Sequence, residues 1–208
     1  MMAVAALRTA LVATLVTTSF FVAAFSESGS AHAADAAAAT RYTADPATST
    51  LEYQFMQAGA QNKGKFTRYT VSLDFSADSL ATSKLDVVVE TNSLDTGDKE
   101  RDDTLKSADL LAVTKYPQSR FTSTQIARTA NGYDAAGKLT IRGVTRDIHV
   151  PFSLKTADEQ GKPTAHLSGK TTIKRLDFGV GQGDWKSTEW VGNDVTVAYS
   201  LRLVLAAH

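Results

Sequence analysis

The sequence predicts an all-β domain with one short helical insertion. Three observations carry this reading. Apolar residues alternate with polar ones through most of the chain. A single charged segment, residues 98–106, breaks that alternation. The first 33 residues stand apart from the rest and do not read as part of a fold.

That first stretch comes first in chain order. Arg8 is the only charge before Glu27, and an apolar run extends from Leu11 through Phe20, Phe21 and Val22 to Phe25. Ala31-His32-Ala33 then supplies the small-x-small pattern that signal peptidase cuts. A positive start, an apolar centre and a small-residue end make residues 1–33 a secretory signal peptide cleaved after Ala33. The competing reading is a membrane anchor. A spanning helix needs roughly 20 mostly apolar residues, and Thr14, Thr17, Thr18 and Ser19 interrupt this run. Residues 34–48, rich in Ala and Thr, have no clear period and read as a flexible lead-in to a single domain over 49–208.

From Leu51 the period is two. Leu51, Tyr53 and Phe55 form a first run; Tyr69, Val71, Leu73 and Phe75 a second; Leu85, Val87 and Val89 a third. Successive strand side chains point to opposite faces, so each run buries one face and wets the other. Asp98 to Lys106 then lacks β-branched residues apart from Thr104. Asp98 can accept from free N–H groups at a helix start, and Asp102 with Lys106 has the favourable i,i+4 order. A short helix of about two turns is expected there. Pro117 forces Tyr116 into extended backbone and ends any helix. Leu139 and Ile141 lead through a turn at Arg142-Gly143-Val144-Thr145 into Ile148, Val150, Phe152 and Leu154. The last run is the clearest: Val195, Val197, Tyr199, Leu201, Leu203 and Leu205 are all odd-numbered and apolar. One-sided strands of this kind are antiparallel. Many of them imply a sandwich or a barrel, and periodicity alone leaves both open.

Composition removes several function classes. The chain has no cysteine, so disulfides, thiol catalysis, thiolate metal sites and lipid attachment to cysteine all fall. The net charge is zero, and removing the leader takes one charge of each sign. A nucleic-acid binder would carry a basic excess.

Local motifs are also weak. Gly59 to Lys65 matches most of a phosphate-binding loop, but Phe66 stands where Ser or Thr must hold magnesium. It reads as a flexible connection between strands. Gly179-Val180-Gly181-Gln182-Gly183 has the wrong spacing for a dinucleotide loop and reads as a turn using positive φ. His149 and His166 sit off the apolar parity and are expected to face outward, and no histidine pair has metal-ligand spacing. The acidic cluster at Asp95, Asp98, Glu100, Asp102 and Asp103 fails the calcium-loop pattern. There is no Gly-x-Ser-x-Gly elbow. No catalytic residue, metal site or cofactor is expected.

Three stretches nevertheless form a specific signature. The first is Asp95-Thr96-Gly97, Glu100-Arg101-Asp102, Leu105-Lys106-Ser107-Ala108-Asp109, then Lys115-Tyr116-Pro117 and Phe121-Thr122-Ser123-Thr124. The second runs from Gly137 to Thr145, and the third is Arg175-Leu176-Asp177-Phe178-Gly179-Val180. Together, in this order, they resemble the YceI-like family of periplasmic polyisoprenoid-binding proteins, across roughly Tyr42 to Leu205. Two departures stand out: Leu110-Leu111 where Phe is frequent, and Gln57 where His is frequent.

The resemblance implies an extended, eight-stranded, lipocalin-like antiparallel barrel with a short helical insertion. It implies a polyprenyl lipid or isoprenoid quinone held along the barrel axis in the periplasm, by a non-enzymatic carrier. The inward residues expected to line the ligand are Tyr53, Phe55, Val71, Leu73, Phe75, Val87, Val89, Phe121, Leu139, Ile141, Val150, Phe152, Val197, Tyr199 and Leu201. Arg101 and Asp102 are expected to fix the helix to a strand. No nucleic-acid partner and no stable membrane anchor are expected, and a homodimer is compatible with the sequence. The alternative is a stress-response interaction protein whose barrel is filled with its own side chains. A third reading is an enzyme acting on the lipid head, for which His149→Ala and His166→Ala are the controls.

Overall fold

A computed structural model describes residues 39–207. The expected signal peptide and the first part of the expected lead-in lie outside the described residues.

Among the described residues, eleven strands form one antiparallel sheet. In chain order they are β1 (Thr40–Ala44), β2 (Thr50–Gln57), β3 (Ala60–Phe66), β4 (Tyr69–Phe75), β5 (Lys84–Glu90) and β6 (Leu94–Asp95). After helix α1 (Lys99–Lys106) come β7 (Gln118–Thr129), β8 (Gly132–Ile141), β9 (Val144–Glu159), β10 (Lys162–Lys174) and β11 (Val191–Leu205). Their register reduces them to eight staves. β1 and β2 both pair with β11, at Tyr42↔Leu205 and Tyr53↔Val197, and are one interrupted strand. β3 and β4 continue one another in the same way, against β2 and β1. So do β5 and β6, against β4 and β3. Each stave pairs with the next in chain order, and β11 closes the ring on β1 and β2. The sheet is therefore a closed eight-stranded barrel, the architecture that removes exposed sheet edges.

The breaks have local causes. Pro46, which lacks an N–H, starts a 3-10 turn capped by Asp45, whose carboxylate accepts from Ala47 N at 3.1 Å. The breaks at 67–68 and 91–93 lie side by side and bond each other. Thr67 N donates to Ser93 O at 3.0 Å, and Arg68 N donates to Ser93 Oγ at 3.0 Å.

The two ends of the barrel differ. At one end are the turns 76–83, 130–131 and 160–161 and both ends of the described chain. At the other are the two-residue turns Ala58–Gly59 and Arg142–Gly143, helix α1, and the long connections 107–117 and 175–190. Ala58 and Arg142 take φ of 49° and 50°, followed by glycines at 77° and 74°. This paired positive-φ geometry matches the strand twist in a tight hairpin.

Several expectations change. The lead-in over 34–48 contains β1, whose Tyr42 is buried in the core, so the barrel begins before residue 49. Gly59–Lys65 is a hairpin turn followed by strand β3, and no flexible connection lies there. α1 forms where expected, with Asp98 accepting from Arg101 N at 3.0 Å. Its ion pair is Lys99–Asp103 at 2.5 Å, whereas Asp102 turns away from Lys106 and accepts from Thr96 N and Oγ1 at 2.9 and 2.7 Å. Gly179, Gly181 and Gly183 all have positive φ, as expected.

Candidate functional site: an apolar tube closed at one end

The inward faces of the eight staves do two jobs. Near the 130–131 turn they fill the barrel. Tyr42, Leu73, Phe75, Ile126, Ala135, Phe152 and Leu203 are buried and packed together. Phe75 meets Tyr133 edge-on at 5.0 Å, and Tyr133 stacks on Phe152 at 5.5 Å. This is a solid plug.

Beyond it the barrel is hollow. A cavity of about 250 Å³ is lined by Tyr53, Phe55, Val71, Val87, Val89, Phe121, Leu139, Ile141, Val150, Val197, Tyr199 and Leu201. These are the expected lining residues less Leu73, Phe75 and Phe152, which belong to the plug. The reason is axial position. The three share the inward parity but lie where aromatic rings from facing staves meet. Along β11 the lining extends from Val191 to Leu201, about 30 Å of strand at the usual rise.

Two glycines keep the tube open in width. The Tyr53 ring lies across its pair partner Gly64, and the Tyr199 ring lies across Gly169; a Cβ at either glycine would collide with the ring. The Tyr199 hydroxyl donates to Pro151 O at 2.5 Å. Burial, aided by Asp134, pushes that phenol's pKa well above its ordinary value. Tyr53 is raised likewise, chiefly by burial and then by Asp102 and Asp95. The Tyr53 hydroxyl has no hydrogen-bond partner among the described residues, and neither has that of Tyr69.

The far end is covered by segments that alternation does not reveal. Leu105 of α1, Leu110, Leu111, Phe178, Val180 and Trp185 all line the cavity. So do Gln57 and Arg101. Asp109 O accepts from Gly181 N and Gln182 N, Arg142 reaches Ala108 O, and one residue ties the 175–190 segment to β11. Arg175, 4% exposed, spends all five guanidinium donors on backbone carbonyls. Nε bonds Gly192, Nη1 bonds Val180 and Trp185, and Nη2 bonds Ser187 and Val191, at 2.7–3.0 Å. Burial lowers its pKa from the ordinary arginine value. The signal for this clamp was the Arg175–Val180 stretch; what it does is set by loop contacts that spacing cannot show.

The described histidines lie outside the tube. His149 and His166 are on the outer surface, as expected. His149 Nδ1 is 2.5 Å from Asp134, and His166 Nε2 is 3.0 Å from Ser200 Oγ. Among the described residues no cluster of three acidic or histidine side chains is placed to hold a metal.

Comparison with known proteins agrees with this architecture. The family model described as YceI-like domain matches residues 42–203. A UPF0312 protein of Pectobacterium carotovorum is 36% identical over 119 residues, 56% of this chain. The match spans 62% of that relative's own length. Burkholderia cenocepacia BcnA has a similar structure, with TM-score 0.71 and 30% identity, over 76% of this chain and 98% of that one. A polyisoprenoid binding domain from Saccharophagus degradans, implicated in plant cell wall breakdown, shares the fold. Its TM-score is 0.57 at 14% identity, over 79% of this chain and 98% of that one.

Proposed function

The chain belongs to the YceI-like domain family, and from that premise we propose that it is a periplasmic carrier for a polyisoprenoid lipid or an isoprenoid quinone. The observation that carries this reading is the tube: apolar on every stave, blocked at one end and covered at the other. A slender branched hydrocarbon fits such a space, since an eight-stranded barrel has room for little more. Each buried CH₂ contributes roughly 0.8 kcal/mol before the costs of association. The fold shared with a polyisoprenoid binding domain supports the same ligand class. A filled barrel accounts for the plug and leaves the cavity without a role. Catalysis through His149 or His166 is disfavoured, because both lie on the outer face.

The periplasmic half of the proposal rests on the leader. Cell fractionation and N-terminal sequencing of the mature protein test it, with Ala34 expected as the first residue. A cytoplasmic, uncleaved chain would overturn it. Ligand binding is tested by titrating delipidated protein with ubiquinone-2 and following the fluorescence of Trp185 in a Trp190→Phe background. Saturable quenching is expected, because Trp185 lines the cavity. A flat titration would contradict the carrier reading.

A further inference from the structure

We infer that the rim formed by the β2–β3 hairpin and the residues entering β11 docks on the surface of a lipid bilayer, with Trp190 and Met56 as its anchors. The inference rests on the carrier reading above and adds where the protein meets the membrane that holds its ligand.

The argument begins with exposed apolar side chains. Among the described residues three large ones stand out: Trp190 at 68% exposed, Met56 at 45% and Leu205 at 43%. Leu205 lies at the plugged end, beside Glu159, Lys162 and Arg202. The other two lie together at the covered end. Ala58 N donates to Trp190 O at 2.8 Å, and Val191 pairs with Gln57. A Cβ on Gly192 would sit 3.3 Å from that of Met56. Val191 and Gln57 line the tube, so Met56 and Trp190, one residue away on each segment, take the outer face. Tryptophan is highly buried on average. Its ring, apolar with one polar edge, is favoured at the boundary between membrane and water.

The charge pattern points to the same partner. No residue is charged between Glu52 and Lys63, and none between Glu189 and Asp194. The paired segments therefore form a charge-free sector of the rim. α1, at the same end of the barrel, is the opposite: six of its eight residues are charged. An uncharged sector leaves water at little cost, whereas ions do not. The charges that flank the sector are Glu52, Lys63, Glu189 and Asp194, with no basic excess. Attraction of a polybasic patch to anionic lipid is therefore absent. The contact is apolar, and a zwitterionic surface suffices.

The location suits loading. An isoprenoid chain resides in a bilayer, and the docking residues are direct chain neighbours of residues that line the tube. No described helix is long and apolar enough to cross a membrane. Two side chains at the headgroup level give an attachment that forms and breaks, as a carrier requires.

Trp185→Phe leaves Trp190 as the only tryptophan and makes it the reporter. With dioleoylphosphatidylcholine vesicles its emission should shift to the blue, and phosphatidylcholine brominated on its acyl chains should quench it. The double variant Met56→Ser, Trp190→Ser should bind these vesicles about tenfold or more weakly in flotation, the scale of one large apolar side chain left in water. The loss should be the same at low and high salt, and Trp190→Phe should keep most of the binding. Thermal melts confirm that each variant is folded. The double variant should take up ubiquinone-2 supplied in ethanol as well as the Trp190→Phe protein does, read on Trp185. No quenching by brominated lipid would overturn the inference. So would flotation that needs phosphatidylglycerol and vanishes in salt, because charge elsewhere would then do the binding. A dimer that is lost in the double variant, without vesicle binding, would make the rim a contact between two copies and overturn it as well. Failure of both proteins to take up ubiquinone-2 would count against the carrier reading, and the vesicle measurements would still decide the docking.

Discussion

At the residue scale, Arg175 is the position on which most depends. Substituting Met keeps the stem but leaves five backbone carbonyls without a donor. Each orphaned buried acceptor costs about 1–3 kcal/mol, not additively. Arg175→Met should therefore lower stability by at least ~3 kcal/mol in urea unfolding, and Trp185 should gain exposure to acrylamide quenching. Unchanged stability would mean that the cover does not rest on this clamp. Surface carboxylates set a separate acid limit. The Arg41 hydrogen bond holds Asp74 below the ordinary carboxylate value. Asp86 is pushed up by partial burial but ends lowered, through Arg120 and Thr122. A folded-state pKa below the unfolded one gives stability that is full above the unfolded value and lost as pH falls through the folded one. The melting temperature should thus hold from pH 7 to about 5 and drop below about 4. Replacing both with Asn should flatten that acid limb. Parity placed Tyr53, Val197 and Tyr199 inside correctly, yet it could not separate them from Leu73, Phe75 and Phe152. Alternation reports which face a side chain takes, and position along the axis depends on which staves sit opposite.

At the element scale, legibility followed the density of apolar residues. β11 and β4 were plain because every inward position carries a large side chain. β3 was not, because its inward Gly64 is covered by the ring of Tyr53 from the neighbouring stave. In β10 the inward Gly169 is hidden under Tyr199 in the same way. In β7 the inward Ser123 serves the backbone, accepting from Leu85 N at 2.8 Å. Such strands are completed by partners distant in sequence, so no local pattern announces them. Gly64→Val should destabilise the protein by about 1–3 kcal/mol, the usual cost of overpacking, and Tyr53→Ala in the same chain should recover part of the loss. Chemical denaturation of the four proteins in that cycle measures the coupling; strict additivity would contradict the ring-over-glycine contact. α1 was legible from its own chemistry. Asp98→Ala should cost about 1 kcal/mol through the lost cap, read by the same method.

At the scale of the whole molecule, the choice between sandwich and barrel was not available from periodicity, since both need one-sided strands. Closure depends on β11 being long enough to pair with β1 at one end and β2 at the other, and on the breaks at 67–68 and 91–93 falling side by side. The hollow was less legible still. It exists beyond the Phe75–Tyr133–Phe152 stack, where glycines sit under Tyr53 and Tyr199. The central claim is that this hollow holds an isoprenoid chain. Its most direct test is native mass spectrometry of the protein purified from a bacterial periplasm without detergent extraction. The account predicts a bound lipid whose mass fits an isoprenoid series and which is lost on organic extraction and regained from added ubiquinone. A clean unliganded mass, with no uptake of ubiquinone or polyprenol, would contradict it.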